Sequence, residues 1–186
     1  THRGALGNTE RDALQQTFAQ LPSPSRILVS NVAGAPMAGR LRALCAAWQC
    51  PLEFVTAQSQ QCGVRNGYQP PQRLGSDRWA ALIASWQRVH GACLVVNCGT
   101  ATTVDALSAQ GEFIGGLILP GVSLMHQSLL GNTAQLAEED GGLCEFPLNT
   151  ADAIHSGVLR ATLGAIGHQY ALLAKRYANA RCVLSG

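Results

Sequence analysis

The stretch that decides the fold runs from Val95 to Leu107 and reads VVNCGTATTVDAL. An apolar run enters a Gly99-Thr100 tip, and a second β-prone run leaves it at Ala101. This pattern predicts a β-hairpin whose tip carries a glycine and hydroxyl groups. Backbone N–H groups at such a tip can approach a phosphate closely, and threonine adds an O–H donor. Taken alone, the stretch fits a polar turn in a β-rich core better than a phosphate site, so the neighbouring segments decide between the two.

The composition is that of a globular chain. It has 186 residues, of which 47% are hydrophobic and 13% are charged, enough for one large domain or two small ones. The formal net charge of +2 gives no broad field for nucleic acid or an acidic membrane. No run reaches the roughly 18 apolar residues of a spanning helix, and no signal segment opens the chain. We therefore expect a cytoplasmic protein that binds neither nucleic acid nor a membrane.

The seven cysteines include no C-x-x-C pair, which predicts reduced thiols, most of them buried.

Strand-like and helix-like segments alternate along the chain, which predicts an α/β architecture. Strands are predicted at 26–31, 52–56, 93–97, 101–107, 112–118 and 181–184, and helices at 12–21, 37–49, 78–90, 122–130 and 150–179. Residues 58–74 and 137–148 are predicted to be loops. The pattern restarts after Gly91, which makes that position the best candidate for a domain boundary.

A carboxylate stands where the loop before residue 78 becomes a helix. Asp77 occupies the expected N-cap position, and Arg78 follows it. The positive end of the helix dipole keeps a carboxylate ionised, so Asp77 could accept a proton from a substrate hydroxyl. The alternative is an ordinary N-cap with an exposed arginine, and the segment alone favours that alternative.

Two further segments are ambiguous when taken singly. The small residues of Gly115-Gly116 and Pro120-Gly121 let the backbone approach either a ligand or another strand closely. Asn149 and Thr150 precede a long helical pattern, where either residue makes a good N-cap.

In this order the segments resemble the type III pantothenate kinases, a family also named Bvg accessory factors, in the actin, sugar-kinase and Hsp70 superfamily. The resemblance covers residues 26–186. The matching segments are Asn66-Gly67-Tyr68, Leu74-Gly75-Ser76-Asp77-Arg78-Trp79, Gly99-Thr100-Ala101-Thr102-Thr103 with Asp105, Gly115 to Gly121, Thr133-Ala134-x-Leu136, and Asn149-Thr150-x-x-Ala153-Ile154-x-x-Gly157. Each is weak alone, but the ordered set is highly specific.

The resemblance implies an enzyme that uses ATP to phosphorylate pantothenate to 4'-phosphopantothenate, the first step of coenzyme A biosynthesis. It implies that Asp77 is the general base and that Gly99 and Thr100 contact ATP. The pantothenate site that it implies consists of Tyr68, Gly75, Ser76, Asp77, Arg78 and Thr150. It also implies a homodimer that uses Mg²⁺ and a monovalent cation, K⁺ or NH₄⁺.

The resemblance implies two ribonuclease H-like (actin-like ATPase) domains, here 1–91 and 92–186, with the second truncated after the strand 181–184. We expect both domains to be incomplete, because the family's first Asp-x-Gly-Asn-Thr phosphate hairpin has no match. The segment Leu6-Gly7-Asn8-Thr9 resembles it, but no apolar strand precedes this segment. The chain also ends at Gly186, where a family adenosine motif would begin.

One departure concerns the monovalent cation. Asn97 stands where many family members have an aspartate that binds this ion, and a neutral amide offers one carbonyl oxygen instead of a carboxylate. We expect cation affinity to be weaker, or the requirement to be lost.

Two other classes of protein are alternatives to a kinase. One is a non-catalytic regulator of transcription on the same scaffold, and the other is an actin-like filament or chaperone ATPase. Asp77 and Thr100 are both present, which favours catalysis, since a degenerate relative would be free to lose them. Asp105 is open to three interpretations: shaping the phosphate hairpin, holding Mg²⁺ through water, or making a structural hydrogen bond. His126 and His155 are predicted to be ordinary helix residues.

Overall fold

The computed structural model describes residues 16–18, 20–130 and 141–186. The Leu6–Thr9 segment, most of the predicted helix 12–21 and the Thr133–Leu136 motif lie outside these residues. The chain forms two compact units, divided between Val55 and Thr56. Within the described residues, no helix has the length and apolar character needed to cross a membrane.

The first unit contains a parallel strand pair joined by a helix. Strand β1 (Ile27–Val29) pairs in parallel with β2 (Leu52–Phe54), and helix α1 (Gly34–Cys45) with a short 3₁₀ turn (Ala46–Trp48) connects them. Parallel neighbours need such a crossover, which explains the alternation seen in the sequence. Residue Gln49 ends the turn in the left-handed region, at a φ of 45°.

The second unit is built on a four-stranded sheet in the order β7-β6-β5-β8. The strands are β5 (Cys93–Cys98), β6 (Ala101–Leu107), β7 (Phe113–Pro120) and β8 (Arg181–Ser185), and the helices are α2 (Ser76–Val89), α3 (Val122–Leu130) and α4 (Thr150–Arg176). Strand β6 pairs antiparallel with both β5 and β7, whereas β8 pairs in parallel with β5.

The core of this unit lies on both sides of β5. Leu94, Val96 and Val104 pack with Leu173 of α4 on one face. Helix α2 also packs on β5 and β6, and its Arg78 reaches Asp105, whose side chain alternates to the opposite face from Val104. A strand covered on both faces reads as a continuous apolar run, which is why the sequence before Asn97 lacks alternation.

Residues 58–74, predicted to be a loop, contain more structure than expected. A two-residue hairpin pairs β3 (Gln60–Gln61) with β4 (Val64–Arg65), and a 3₁₀ turn covers Pro71–Arg73. These elements are too short to produce a periodic sequence pattern. The indole N–H of Trp79 donates to Oε1 of Gln61 at 2.9 Å, which ties the hairpin to α2.

The α/β class predicted from the sequence is confirmed, and within the predicted helical segment 150–179 a single helix covers Thr150–Arg176. The compact units do not divide at residue 91, because residues 56–91 belong to the same unit as the four-stranded sheet. The boundary between domains 1–91 and 92–186 therefore stays a prediction about the family's arrangement. All seven cysteines are free thiols, but only Cys45 and Cys93 are buried, so the prediction that most are buried is wrong.

Candidate active site

The first turn of α2 presents the predicted base to solvent. Gly75 is the N-cap, with no side-chain cap, and Asp77 is the second helical residue, so the prediction that Asp77 is the N-cap is wrong. Aspartate is favoured both at the cap and in the first turn, and the sequence does not separate the two positions. The Asp77 carboxylate is exposed, and its Oδ1 accepts a hydrogen bond from the backbone N–H of Arg78 at 2.8 Å.

Arg78 is buried in an ion pair with Asp105, and the alternative of an exposed arginine is wrong. Its Nε donates to Oδ2 of Asp105 at 3.0 Å and its Nη2 donates to Oδ1 at 2.5 Å. The two residues are only 5% and 1% exposed, respectively. Burial alone would lower the pKa of Arg78, but the hydrogen bonds and charge of Asp105 raise it above its ordinary value. Burial raises the pKa of Asp105, and Arg78 opposes that rise. The guanidinium therefore stays charged.

Tyr68 completes the cluster. Nη1 of Arg78 donates to the Tyr68 hydroxyl oxygen at 3.1 Å, and the Tyr68 ring stacks on Phe113 with centroids 5.7 Å apart. The backbone N–H of Tyr68 donates to Oδ1 of Asn66 at 3.0 Å, so the loop that carries the tyrosine is fixed from both sides. The cluster therefore joins the loop 66–74, the start of α2 and the sheet.

One glycine of the Gly115-Gly116 pair on β7 leaves space for a neighbouring side chain of the protein, not for a ligand. A Cβ added to Gly116 would stand 1.9 Å from Oδ1 of Asp105 and 3.0 Å from Nη2 of Arg78. The close approach that the sequence left open is therefore to the ion pair on the neighbouring strand. Gly115 has a φ of +137°, a conformation that side chains rarely adopt, and its Cβ position faces open space.

The hairpin tip predicted for phosphate lies where expected, between β5 and β6. The N–H of Gly99 is committed to the carbonyl of Ala101 at 3.1 Å, whereas Thr100 is exposed. Gly121, just before α3, donates its N–H to the Thr100 carbonyl at 2.8 Å. A Cβ at Gly121 would stand 2.0 Å from the Gly99 carbonyl oxygen, so this glycine lets the start of α3 lie against the tip.

The side chain of Asn97 forms a hydrogen bond within the protein. Its Oδ1 accepts a hydrogen bond from the Ser185 hydroxyl at 2.5 Å, and it supplies one neutral oxygen where hard cations need several oxygen ligands. Among the described residues, no group of three or more His, Cys, Asp or Glu could hold a metal ion.

Thr150 begins α4 and is exposed, while Asn149 is the N-cap, with its Oδ1 accepting from the backbone N–H of Asp152 at 2.9 Å. In the described ranges, no hydrogen bond or ion pair joins Thr150 or Thr100 to the Tyr68–Arg78–Asp105 cluster.

His126 and His155 lie with ring centroids 5.9 Å apart. An open apolar groove of about 510 Å³ separates α3 from α4, lined by residues that include Met125, Leu129, Ile154 and Val158.

Sequence reasoning missed two members of the cluster. It left Asp105 with three interpretations, of which the structural hydrogen bond is confirmed, and it gave Phe113 no role. The partner of Asp105 is 27 positions away in the chain, and nothing local to either residue identifies the other. The only available signal was a single charged residue within an otherwise uncharged strand.

The chain is similar to known proteins both in sequence and in fold. A family model described as type III pantothenate kinase matches residues 3–172. A type III pantothenate kinase of Nitrosospira multiformis is 46% identical over 99% of this chain and 71% of its own length. That of an Azoarcus species is 49% identical over 98% and 69%, and that of Bordetella pertussis is 40% identical over 95% and 67%. In fold, the chain is similar to a protein of the Baf transcriptional-activator family from Campylobacter jejuni, with a TM-score of 0.55 at 22% identity, covering 90% of this chain and 80% of the other.

The fold is mixed α/β, and these relatives make the chain a phosphotransferase that acts as a kinase. It belongs to the type III pantothenate kinase family.

Proposed function

We propose that this chain transfers the γ-phosphate of ATP to the primary hydroxyl of pantothenate, giving 4'-phosphopantothenate for coenzyme A biosynthesis, with Asp77 as the general base. The observation that carries the proposal is the exposed Asp77 carboxylate at the start of α2, directly beside the buried Arg78. Relatives at 40–49% identity carry the kinase name, which disfavours a non-catalytic regulator.

The chemical step follows from the position of the base. Asp77 takes the proton of the substrate hydroxyl as that oxygen attacks the γ-phosphorus, and a new P–O bond forms. The bond from the γ-phosphorus to the bridging oxygen breaks, and ADP leaves with its electrons. Such a base contributes about 10²- to 10⁴-fold to the rate. In phosphoryl transfer, the remaining work is to position the reactants and neutralise charge.

The substrate site that we propose combines backbone and side-chain groups. Gly75 and Ser76 bring the start of α2 against pantothenate, where the positive end of the helix dipole favours an anion. Tyr68 and Arg78 contribute a hydroxyl and a guanidinium edge. Thr150, at the start of α4, is the last of the proposed binding residues, and the family resemblance alone supports it.

For ATP we propose the hairpin tip at Gly99 and Thr100. The exposed Thr100 hydroxyl can donate to a phosphate, and the positive end of α3 begins next to the tip at Gly121. The Mg²⁺ that the family implies would be held largely by the nucleotide phosphates and water, as Mg²⁺ is at other phosphoryl-transfer sites. With Asn97 bonded to Ser185, we propose that dependence on K⁺ or NH₄⁺ is weak or lost.

The family resemblance also supports two larger proposals. One is that the complete fold contains two ribonuclease H-like domains of the actin-like ATPase type. The other is that the enzyme works as a homodimer. Sedimentation of the full-length protein would test the second proposal, with a monomer as the contrary outcome.

The kinase proposal is tested by assaying the full-length protein with ATP, Mg²⁺ and pantothenate, beside Asp77→Asn. We expect kcat to fall about 10²- to 10⁴-fold in the variant, with little change in the KM for pantothenate. Glu53→Gln, which removes an exposed carboxylate in the other compact unit, is the control and should keep full activity. Undiminished turnover in Asp77→Asn would remove the base assignment. Assays in K⁺, NH₄⁺ and Na⁺ should give similar rates, and a strict need for one cation would contradict the interpretation of Asn97.

A further inference from the structure

We propose that Asp105 is a positioning residue of the substrate site: it fixes the guanidinium of Arg78, and through Arg78 the hydroxyl of Tyr68, in the orientation that receives pantothenate. The inference rests on the proposed function, since it concerns the same substrate. Asp105 is 1% exposed, so its carboxylate contacts protein atoms and not the substrate.

The hydrogen bonds of Arg78 use three of the five N–H donors of its guanidinium. A guanidinium has five N–H donors in a rigid plane. Asp105 takes the one on Nε and one on Nη2, and the Tyr68 hydroxyl takes one on Nη1. The two remaining N–H groups lie on Nη1 and Nη2, away from the edge that Asp105 occupies. Because the plane is rigid, fixing one edge also fixes the direction of these two donors.

Stability alone is a weak reason for such a pair. Buried ion pairs are often no more stabilising than well-packed apolar side chains, because both charges lose their hydration. Yet the surroundings accommodate this one, since Gly116 leaves the space that Asp105 fills and the rings of Tyr68 and Phe113 lie 5.7 Å from the guanidinium carbon.

The charges around Arg78 support the same role. Burial raises the pKa of Asp105, Arg78 opposes that rise, and the negative charge of Asp77 adds to it. The backbone N–H of Arg78 donates to Asp77 and its guanidinium donates to Asp105, so Arg78 contacts both carboxylates. The positive charge of Arg78, held against Asp105, therefore offsets the buried negative charge next to the start of α2.

Steady-state kinetics of the full-length enzyme test the role through Asp105→Asn, which keeps the side-chain shape but loses the charge and one acceptor oxygen. Misplaced binding groups cost up to about 100-fold, so we expect the KM for pantothenate to rise about 10- to 100-fold. The KM for ATP should stay within about twofold. Glu53→Gln, which breaks the exposed pair with Arg26, is the control and should change neither constant. A purely structural role would lower the amount of active enzyme, and therefore kcat, with both KM values unchanged.

Tyr68→Phe supplies a second measurement, which decides the matter if Asp105→Asn does not fold. This variant keeps the ring and the Arg78–Asp105 pair but removes the hydroxyl that Arg78 holds. We expect the KM for pantothenate to rise about tenfold, and expect this rise to disappear when Asp105→Asn is already present, because the two residues act through one arrangement. An unchanged KM in either folded single variant, while the wild type phosphorylates pantothenate, overturns the positioning role alone. No turnover of pantothenate by the wild type overturns the proposed function as well.

Discussion

Gly116 lies directly against the carboxylate of Asp105, so that a Cβ built at position 116 would stand 1.9 Å from Oδ1. The carbonyl oxygen of Val104 and Nη2 of Arg78 close the same space at 2.9 and 3.0 Å. Backbone and a buried charged pair cannot yield as a flexible side chain would. The absence of a side chain at residue 116 is therefore a condition for the ion pair.

Gly116→Ala should destabilise the protein by about 1–3 kcal/mol, the usual cost of forcing extra atoms into a packed site. Urea unfolding followed by circular dichroism measures the change. Gly167→Ala is the matched control, because this exposed helical glycine has nothing within 4 Å of its Cβ position. That control should stabilise the protein by about 0.5–1 kcal/mol, through helix propensity. An unfolding free energy for Gly116→Ala equal to that of the wild type would contradict the packing.

Gly121→Ala should weaken ATP binding more than pantothenate binding. Its Cβ would stand 2.0 Å from the Gly99 carbonyl oxygen and 2.7 Å from that of Thr100, so the hairpin tip must move. A displacement of about 1 Å at a binding group can cost up to about 100-fold, and we expect the KM for ATP to rise about tenfold. Initial-rate kinetics with each substrate varied in turn give the comparison. Equal rises in both KM values would speak against a local effect on the tip.

Local features of this fold were accessible from sequence, because short-range chemistry determines them. The Gly99-Thr100 turn connects two strands that pair with each other directly. Asn149 caps the helix that follows it. The short hairpin before Asn66 was not predicted, since two-residue strands leave no periodic pattern. Its position depends on Trp79, a contact across 18 residues.

The candidate site shows the same limit. Asp77 and Arg78 could be singled out because they start a helix. The burial of Arg78 against Asp105 could not be predicted, because Asp105 lies on a strand that α2 covers only after the chain has folded. The ambiguity of Gly116 had the same origin, since its neighbour Asp105 lies across the β6–β7 pairing.

Thiol reactivity should separate Cys62 from Cys93. Cys62 is exposed, whereas Cys93 is 0% exposed and burial, followed by the nearby Cys182, raises its pKa to about 11. The thiolate is the reactive form, so a buried thiol with a raised pKa reacts slowly. Alkylation at mildly alkaline pH, followed by peptide mass spectrometry, should modify Cys62 first and Cys93 only after unfolding in concentrated guanidinium. Early modification of Cys93 in folded protein would contradict its placement in the sheet.

Acid should release the segment that precedes α4 from Asp152. The Asp152 carboxylate accepts hydrogen bonds from the N–H of Gly142 at 2.6 Å and from Nδ2 of Asn149 at 2.7 Å. The Gly142 bond first, then the Asn149 bond, lower the pKa of Asp152 below its ordinary 3.8. Because the folded pKa is the lower one, the stabilisation is fully present above pH 3.8 and is lost as the pH falls through the folded pKa.

The measurement is the amide resonance of Gly142 in an NMR titration. We expect its chemical shift to stay constant above pH 3.8 and to move at lower pH as Asp152 becomes protonated and the bond is lost. Asp152→Asn should abolish this titration and increase amide exchange at Gly142 already at neutral pH, since an amide oxygen is a weaker acceptor than a carboxylate. Glu53→Gln, in the other compact unit, should leave the titration unchanged. A Gly142 shift that titrates identically in Asp152→Asn would assign the effect to another group and contradict the contact.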